Sequence, residues 1–111
     1  MTITTALNHG MLLFRIGRRT EAVKFLRKQL PIANRACGPN HINTLKVRAV
    51  LSSALYDYNG ASREDVSEAA TTLNDVLRRA TRTLGDSHPF TRRVRVDQRD
   101  VSARAASFAP A

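Results

Sequence analysis

The chain has 111 residues, 42% apolar and 24% charged, which suits one folded domain with a modest core and excludes wholesale disorder. The single cysteine, Cys37, excludes an intrachain disulfide. No apolar run approaches the roughly 18 residues of a membrane span, and the stretch Met11-Leu12-Leu13-Phe14, closed by Arg15, is also too short for a signal-peptide core.

Lysine and arginine outnumber the acids by 18 to 9, for a net charge of +9. The excess sits mainly at the start, where residues 1–37 carry seven cations against one acid, Glu21. Such a balance favours nucleic acid, an acidic protein or an anionic membrane surface, and basicity alone does not choose among them. An Arg-rich start is also a property of mitochondrial transit peptides, but these residues complete a helical pattern. The lone cysteine fits a reducing compartment, so a cytoplasmic protein is expected.

A first helix is predicted over residues 4–16, with Leu7, Met11 and Phe14 on one face. Gly10 lies within it, costing about 1 kcal/mol relative to alanine, and a closely approaching helix would explain it. Gly17-Arg18 makes a turn. The second helix is predicted over 19–37, with Ala22, Val23, Leu26, Leu30, Ala33 and Cys37 as its apolar stripe and Lys24, Arg27, Lys28 and Arg35 mostly opposite. Pro31 removes a backbone donor there and predicts a kink near residues 27–30. Cys37 reads as a small core residue.

Gly38-Pro39-Asn40-His41-Ile42-Asn43-Thr44 follows. It returns 47 positions later as Gly85-Asp86-Ser87-His88-Pro89-Phe90-Thr91, and Glu21-Ala22 returns as Glu68-Ala69 at the same interval. A register kept at several points is the signature of a repeat. Pro89 suits the first position of a helix, which makes His88 and its counterpart His41 helix-start residues, with Asn40 and Ser87 as competing caps. Read instead as a metal pair, the two histidines lack supporting ligands, since there is no HExxH and no cysteine cluster.

The third helix is predicted over 43–58, ended by Asn59-Gly60. The next turn is four residues longer than the one at Gly17, and Ser62 with Asp65 resembles a capping box. The fourth helix, 63–84, keeps Val66, Ala69, Leu73, Val76, Ala80 and Leu84 at helical spacing. The fifth, 89–106, is more polar and has no following partner, as expected of a cap over the last repeat. Phe108-Ala109-Pro110-Ala111 reads as a frayed tail. These elements predict an all-α chain of antiparallel helix–turn–helix repeats in one domain, 1–107, with units at about 4–38 and 43–85.

The Gly-x-x-x-Glu-Ala turn at Gly17 to Ala22, the Gly-x-x-His-x-x-Thr loops and the paired helices together resemble the tetratricopeptide repeat in its kinesin light chain-like form. In that form the second helix runs into a Gly-Pro-Asp-His-Pro-Asp-Thr loop. Gly38-Pro39-Asn40-His41 matches the first half of that loop, and Gly85, His88, Pro89 and Thr91 match it in the second copy. His9 in place of the usual leucine, Pro31 and the longer second turn depart from the pattern. The resemblance spans about residues 4–105 and implies a short right-handed α-solenoid of about two units plus a C-terminal capping helix. About three units are usually needed for stability, which predicts either a longer array or a partner that completes this one, including self-association through open repeat ends.

The resemblance further implies no active site, no cofactor and no metal, and a protein or peptide partner held in a groove lined by the first helix of each unit. Carried onto this sequence, the groove residues are Asn8, Met11, Phe14 and Arg15, then Val47, Val50, Ala54 and Tyr58, then Val94 and Val101. Asn8 matches an asparagine that often contacts peptide backbone in the family. An apolar groove with Arg15 at one side suits a segment with apolar anchors and an acid. The alternative is a basic subunit that binds nucleic acid or an anionic assembly through Lys24, Arg27, Lys28 and Arg35, although few aromatics are available for base stacking. Catalysis has least support: there is no phosphate loop, nucleophile motif or metal cluster.

Overall fold

Most of the helices begin where a side chain can close the first turn. In the computed structural model, which describes residues 2–108, the helices are α1 (Ile3–Arg15), α2 (Arg19–Cys37), α3 (Ile42–Tyr56), α4 (Arg63–Leu84) and α5 (Pro89–Ala106). Thr2 Oγ1 accepts from the Thr5 amide at 3.0 Å and Ser62 Oγ from the Asp65 amide at 3.1 Å. His41 Nδ1 accepts from the Asn43 amide at 3.0 Å, and His88 Nδ1 from the Phe90 amide at 3.1 Å. The histidines, not Asn40 or Ser87, are therefore the caps of α3 and α5. Their use of Nδ1 as acceptor places the ring proton on Nε2. Asn40 serves elsewhere, accepting from Arg79 Nη1 at 2.7 Å.

The two copies of the loop share their backbone geometry. Gly38 and Gly85 take φ of 94° and 89°, a left-handed conformation that side chains resist. Each donates its N–H back into the preceding helix, to Asn34 O at 3.0 Å and Thr81 O at 3.1 Å. α2 runs unbroken through Pro31. α3 stops at Tyr56, two residues short of the expected end, so Tyr58 belongs to the turn. Phe108, expected in a frayed tail, instead packs against the core, and its carbonyl accepts from Arg63. Residues 109–111 lie outside the described residues.

Consecutive helices pack against each other along the chain, and α1 and α5 also touch α3. Thus α1, α3 and α5 form one layer and α2 and α4 the other. Leu26, Leu45, Leu73, Val66 and Val76 are completely buried between them, an apolar core of the kind that supplies most of a small domain's stability. Gly10 has the close neighbour its position called for, because a Cβ there would lie 2.5 Å from Leu26 Cδ2. Asp75 joins the two layers: its carboxylate accepts from Arg48 of α3 at 2.7 Å and from Arg79 Nε at 2.8 Å, with Arg78 alongside.

Candidate interaction groove

The rotation of α3 about its axis decides which of its residues can meet a partner. Hydrogen bonds fix that rotation at both ends. Thr44 Oγ1 donates to Ala33 O at the end of α2, at 3.2 Å. At the other end Arg19, the first residue of α2, donates to Ala54 O at 3.3 Å and places its guanidinium 3.8 Å from the centre of the Tyr58 ring. The stripe Thr44, Val47, Leu51, Ala54, continued by Tyr58 in the turn, therefore faces α2. Adding 47 gives Thr91, Val94, Gln98, Val101 and Ala105 on α5, and Gln98 Nε2 donates to Asn74 of α4 at 2.8 Å. That stripe faces α4.

Val47, Ala54, Val94 and Val101 thus lie in the seams between repeats, where each is fully buried, and the groove assigned to them in the sequence does not contain them. Tyr58 packs under Arg19 beside the same seam and is likewise not in the groove. The correction is a rotation of about 100°, one residue on an α-helix.

The groove itself, of about 490 Å3, runs across α1, α3 and α5. Of the residues named from the sequence, α1 places Asn8, Met11, Phe14 and Arg15 along it, together with Leu7. α3 places Val50 there, along with Lys46, Ala49 and Ser53. α5 supplies Phe90, Arg93 and Asp97. Lys46 with Arg93, and Val50 with Asp97, are again 47 apart, so the rotation of α3 also locates Arg93 and Asp97, though not Phe90. Phe14 is committed partly to the small core of Leu13, Ala22 and Ala54. His9, the departure from the expected leucine, sets its ring edge-on to Phe25 at 4.6 Å between centroids.

The groove is mostly apolar with a positive rim of Arg15, Lys46 and Arg93. Asp97 is the exception. Its side chain is 9% exposed, and its nearest cation is Arg93 Nε at 3.4 Å. Burial pushes the Asp97 carboxyl above its ordinary range, against the opposing pull of Arg93. Tyr56, beneath it, donates its hydroxyl to the Asp97 backbone carbonyl at 3.5 Å, and burial raises that phenol as well.

On the other side of the molecule Lys24, Arg27, Lys28 and Arg35 are all exposed along α2. They do not form a uniform basic face, because Arg27 is held by both oxygens of Glu68 on α4, at 2.8 and 2.9 Å. His41 and His88 act as helix caps, each in its own loop, and Cys37 is a half-buried thiol at the end of α2. Among the described residues no three His, Cys, Asp or Glu side chains come together as a metal site, and no helix is long and apolar enough to cross a membrane.

Antiparallel helix pairs stacked through repeated seams, leaving a groove along the first helices, define a helical-repeat scaffold. The family model for the tetratricopeptide repeat matches residues 1–64, more than half of the chain. The chain belongs to the tetratricopeptide repeat family, and as such is a non-catalytic all-α repeat module. No curated protein and no solved structure gives a match.

Proposed function

We propose that the chain is a protein–protein interaction module whose groove across α1, α3 and α5 holds a peptide or an extended segment of a partner protein, and that its repeats are of the kinesin light chain-like form. The subtype rests on the two Gly-x-x-His loops, in which the histidine caps the following helix. The function rests on one observation: three helices from successive repeats contribute apolar and cationic side chains to a single groove. Met11, Val50 and Phe90 offer apolar sites, and Arg15, Lys46 and Arg93 suit a partner that carries acids. Charge complementarity of this kind sets orientation and on-rate more than raw affinity.

The test is capture from native extract by the full chain and by an Asn8→Ala, Arg15→Glu variant. Both residues are exposed, so the variant should fold, whereas Phe14 packs against the core and makes a poor probe. A discrete set of proteins lost in the variant and indifferent to nuclease is the expected outcome. The same set retained by the variant would contradict the groove assignment.

The alternative, binding of nucleic acid or an anionic assembly through α2, keeps the support of the +9 charge and of exposed Lys24, Lys28 and Arg35. It is weakened by the Arg27–Glu68 pair, which removes one cation from that face. Binding of this kind would fall steeply with salt and would survive the Asn8→Ala, Arg15→Glu change. A cytoplasmic setting is proposed on the unpaired Cys37 alone.

A further inference from the structure

Asp97 does not have the surroundings of a structural carboxylate. At 6% exposure it is one of the few buried charged residues in the molecule, yet among the described residues its carboxylate is held by Arg93 alone. Its one cationic neighbour, Arg93 at 3.4 Å, is itself 76% exposed and reaches it from the rim. Compare Asp75, which is held by Arg48 and Arg79 at hydrogen-bonding distances. A buried charge without good partners is costly, and the fold does not require one here: 47 positions earlier, in the same place on α3, stands Val50. Both residues line the groove.

Resting on the groove reading above, we infer that Asp97 is a specificity-determining anchor that receives a basic side chain, lysine or arginine, of the bound peptide segment. The argument is charge complementarity at a fixed depth. The rim cations attract an acidic partner at long range. Among the described residues Asp97 is the only negative side chain lining the groove, which it shares with the apolar Val50 and Phe90. An alkyl stem can lie along that surface while its charged end meets the carboxylate, with Arg93 free to swing outward. Desolvated charge-assisted hydrogen bonds are stronger than exposed ones, so this pair would set the register of the segment.

The probe is a random dodecapeptide library displayed on phage and selected against the full chain. Selected peptides are then measured in solution against the wild type, Asp97→Val (which copies the Val50 position) and Asn8→Ala, Arg15→Glu. The expected result is a lysine or arginine at a fixed spacing from an apolar residue. Replacing that residue by norleucine should weaken binding about tenfold or more to the wild type, and by far less to Asp97→Val. Peptides that need Asn8 and Arg15 but carry no fixed basic residue, or bind Asp97→Val equally well, would overturn the inference and leave the groove reading standing. If no peptide is enriched, or the enriched peptides ignore Asn8 and Arg15, the groove reading fails and this inference with it. Circular dichroism of Asp97→Val distinguishes lost recognition from lost fold, and Asp97→Asn, which keeps the shape of the side chain, serves as the second variant.

Discussion

A methyl group at Gly10 would fall 2.5 Å from Cδ2 and 2.9 Å from Cγ of Leu26, a residue with no exposed surface into which to move. Gly10→Ala should therefore destabilise the chain by about 1–3 kcal/mol in urea unfolding, the usual range for overpacking, although alanine is the better helix former by about 1 kcal/mol. The paired threonines give a sharper contrast. Thr44 Oγ1 donates to Ala33 O, whereas Thr91 Oγ1, equally buried, has no partner among the described residues. Thr44→Val should cost about 1 kcal/mol, and Thr91→Val should be neutral or stabilising, because replacing an unsatisfied buried hydroxyl removes a desolvation penalty. Asp97 carries a related penalty. Its carboxyl is raised by burial, so the folded state holds the proton more tightly than the unfolded chain. Ionisation of Asp97 then subtracts stability as pH rises above the ordinary carboxylate range. Asp97→Asn should raise Tm at pH 7 and lose that advantage as pH falls through the carboxylate range, measured by thermal melts. A gain in stability with a loss of peptide binding would mark a residue kept for recognition.

Among the elements, α4 was the easiest to read from sequence and α3 the hardest to orient. In α4 the apolar residues keep one stripe, with charges around the rest, so the pattern sets both the helix and its buried face. α3 touches α2, α4, α1 and α5, and Thr44, Leu45, Val47, Ala49, Leu51, Ser52, Ala54, Leu55 and Tyr56 are all buried. A helix enclosed on several sides has no polar face to fix its rotation. Seam and groove positions therefore look alike in the sequence, and apolarity alone does not separate Val47 and Ala54 in the seam from Lys46, Ala49 and Ser53 in the groove. The loops were legible because glycine and histidine there answer local backbone requirements that need no tertiary information. The charge pairs were not, since Arg48 and Asp75 lie 27 residues apart and meet only after packing. At Asp75 burial pushes the carboxyl up, but hydrogen bonds from Arg48 and Arg79 more than reverse this and leave it at about 2, from an ordinary 3.8. That difference amounts to about 2 kcal/mol of stability, present above the ordinary value and lost as pH falls through about 2. Urea unfolding should show Asp75→Asn less stable by about that amount at pH 6, with the gap closing toward pH 2.

For the molecule as a whole, the two ends of the stack differ. On α5 the positions matching Leu45, Ser52 and Leu55, which on α3 lie toward α4, are Arg92, Arg99 and Ser102, all exposed. On α1 Leu12 and Ile16 are exposed, at 54% and 57%. The net charge of +9 opposes close approach of two copies at low salt. The groove lies between these ends, where the proposed function holds its partners. The most direct measurement places a photo-crosslinking amino acid at Asn8 in one sample and at Lys28 in another, irradiates each in native extract, and identifies the adducts. Discrete protein adducts are expected from Asn8 and none from Lys28. Adducts from Lys28 alone, sensitive to salt or nuclease, would contradict the proposed function and move recognition to the outer face of α2.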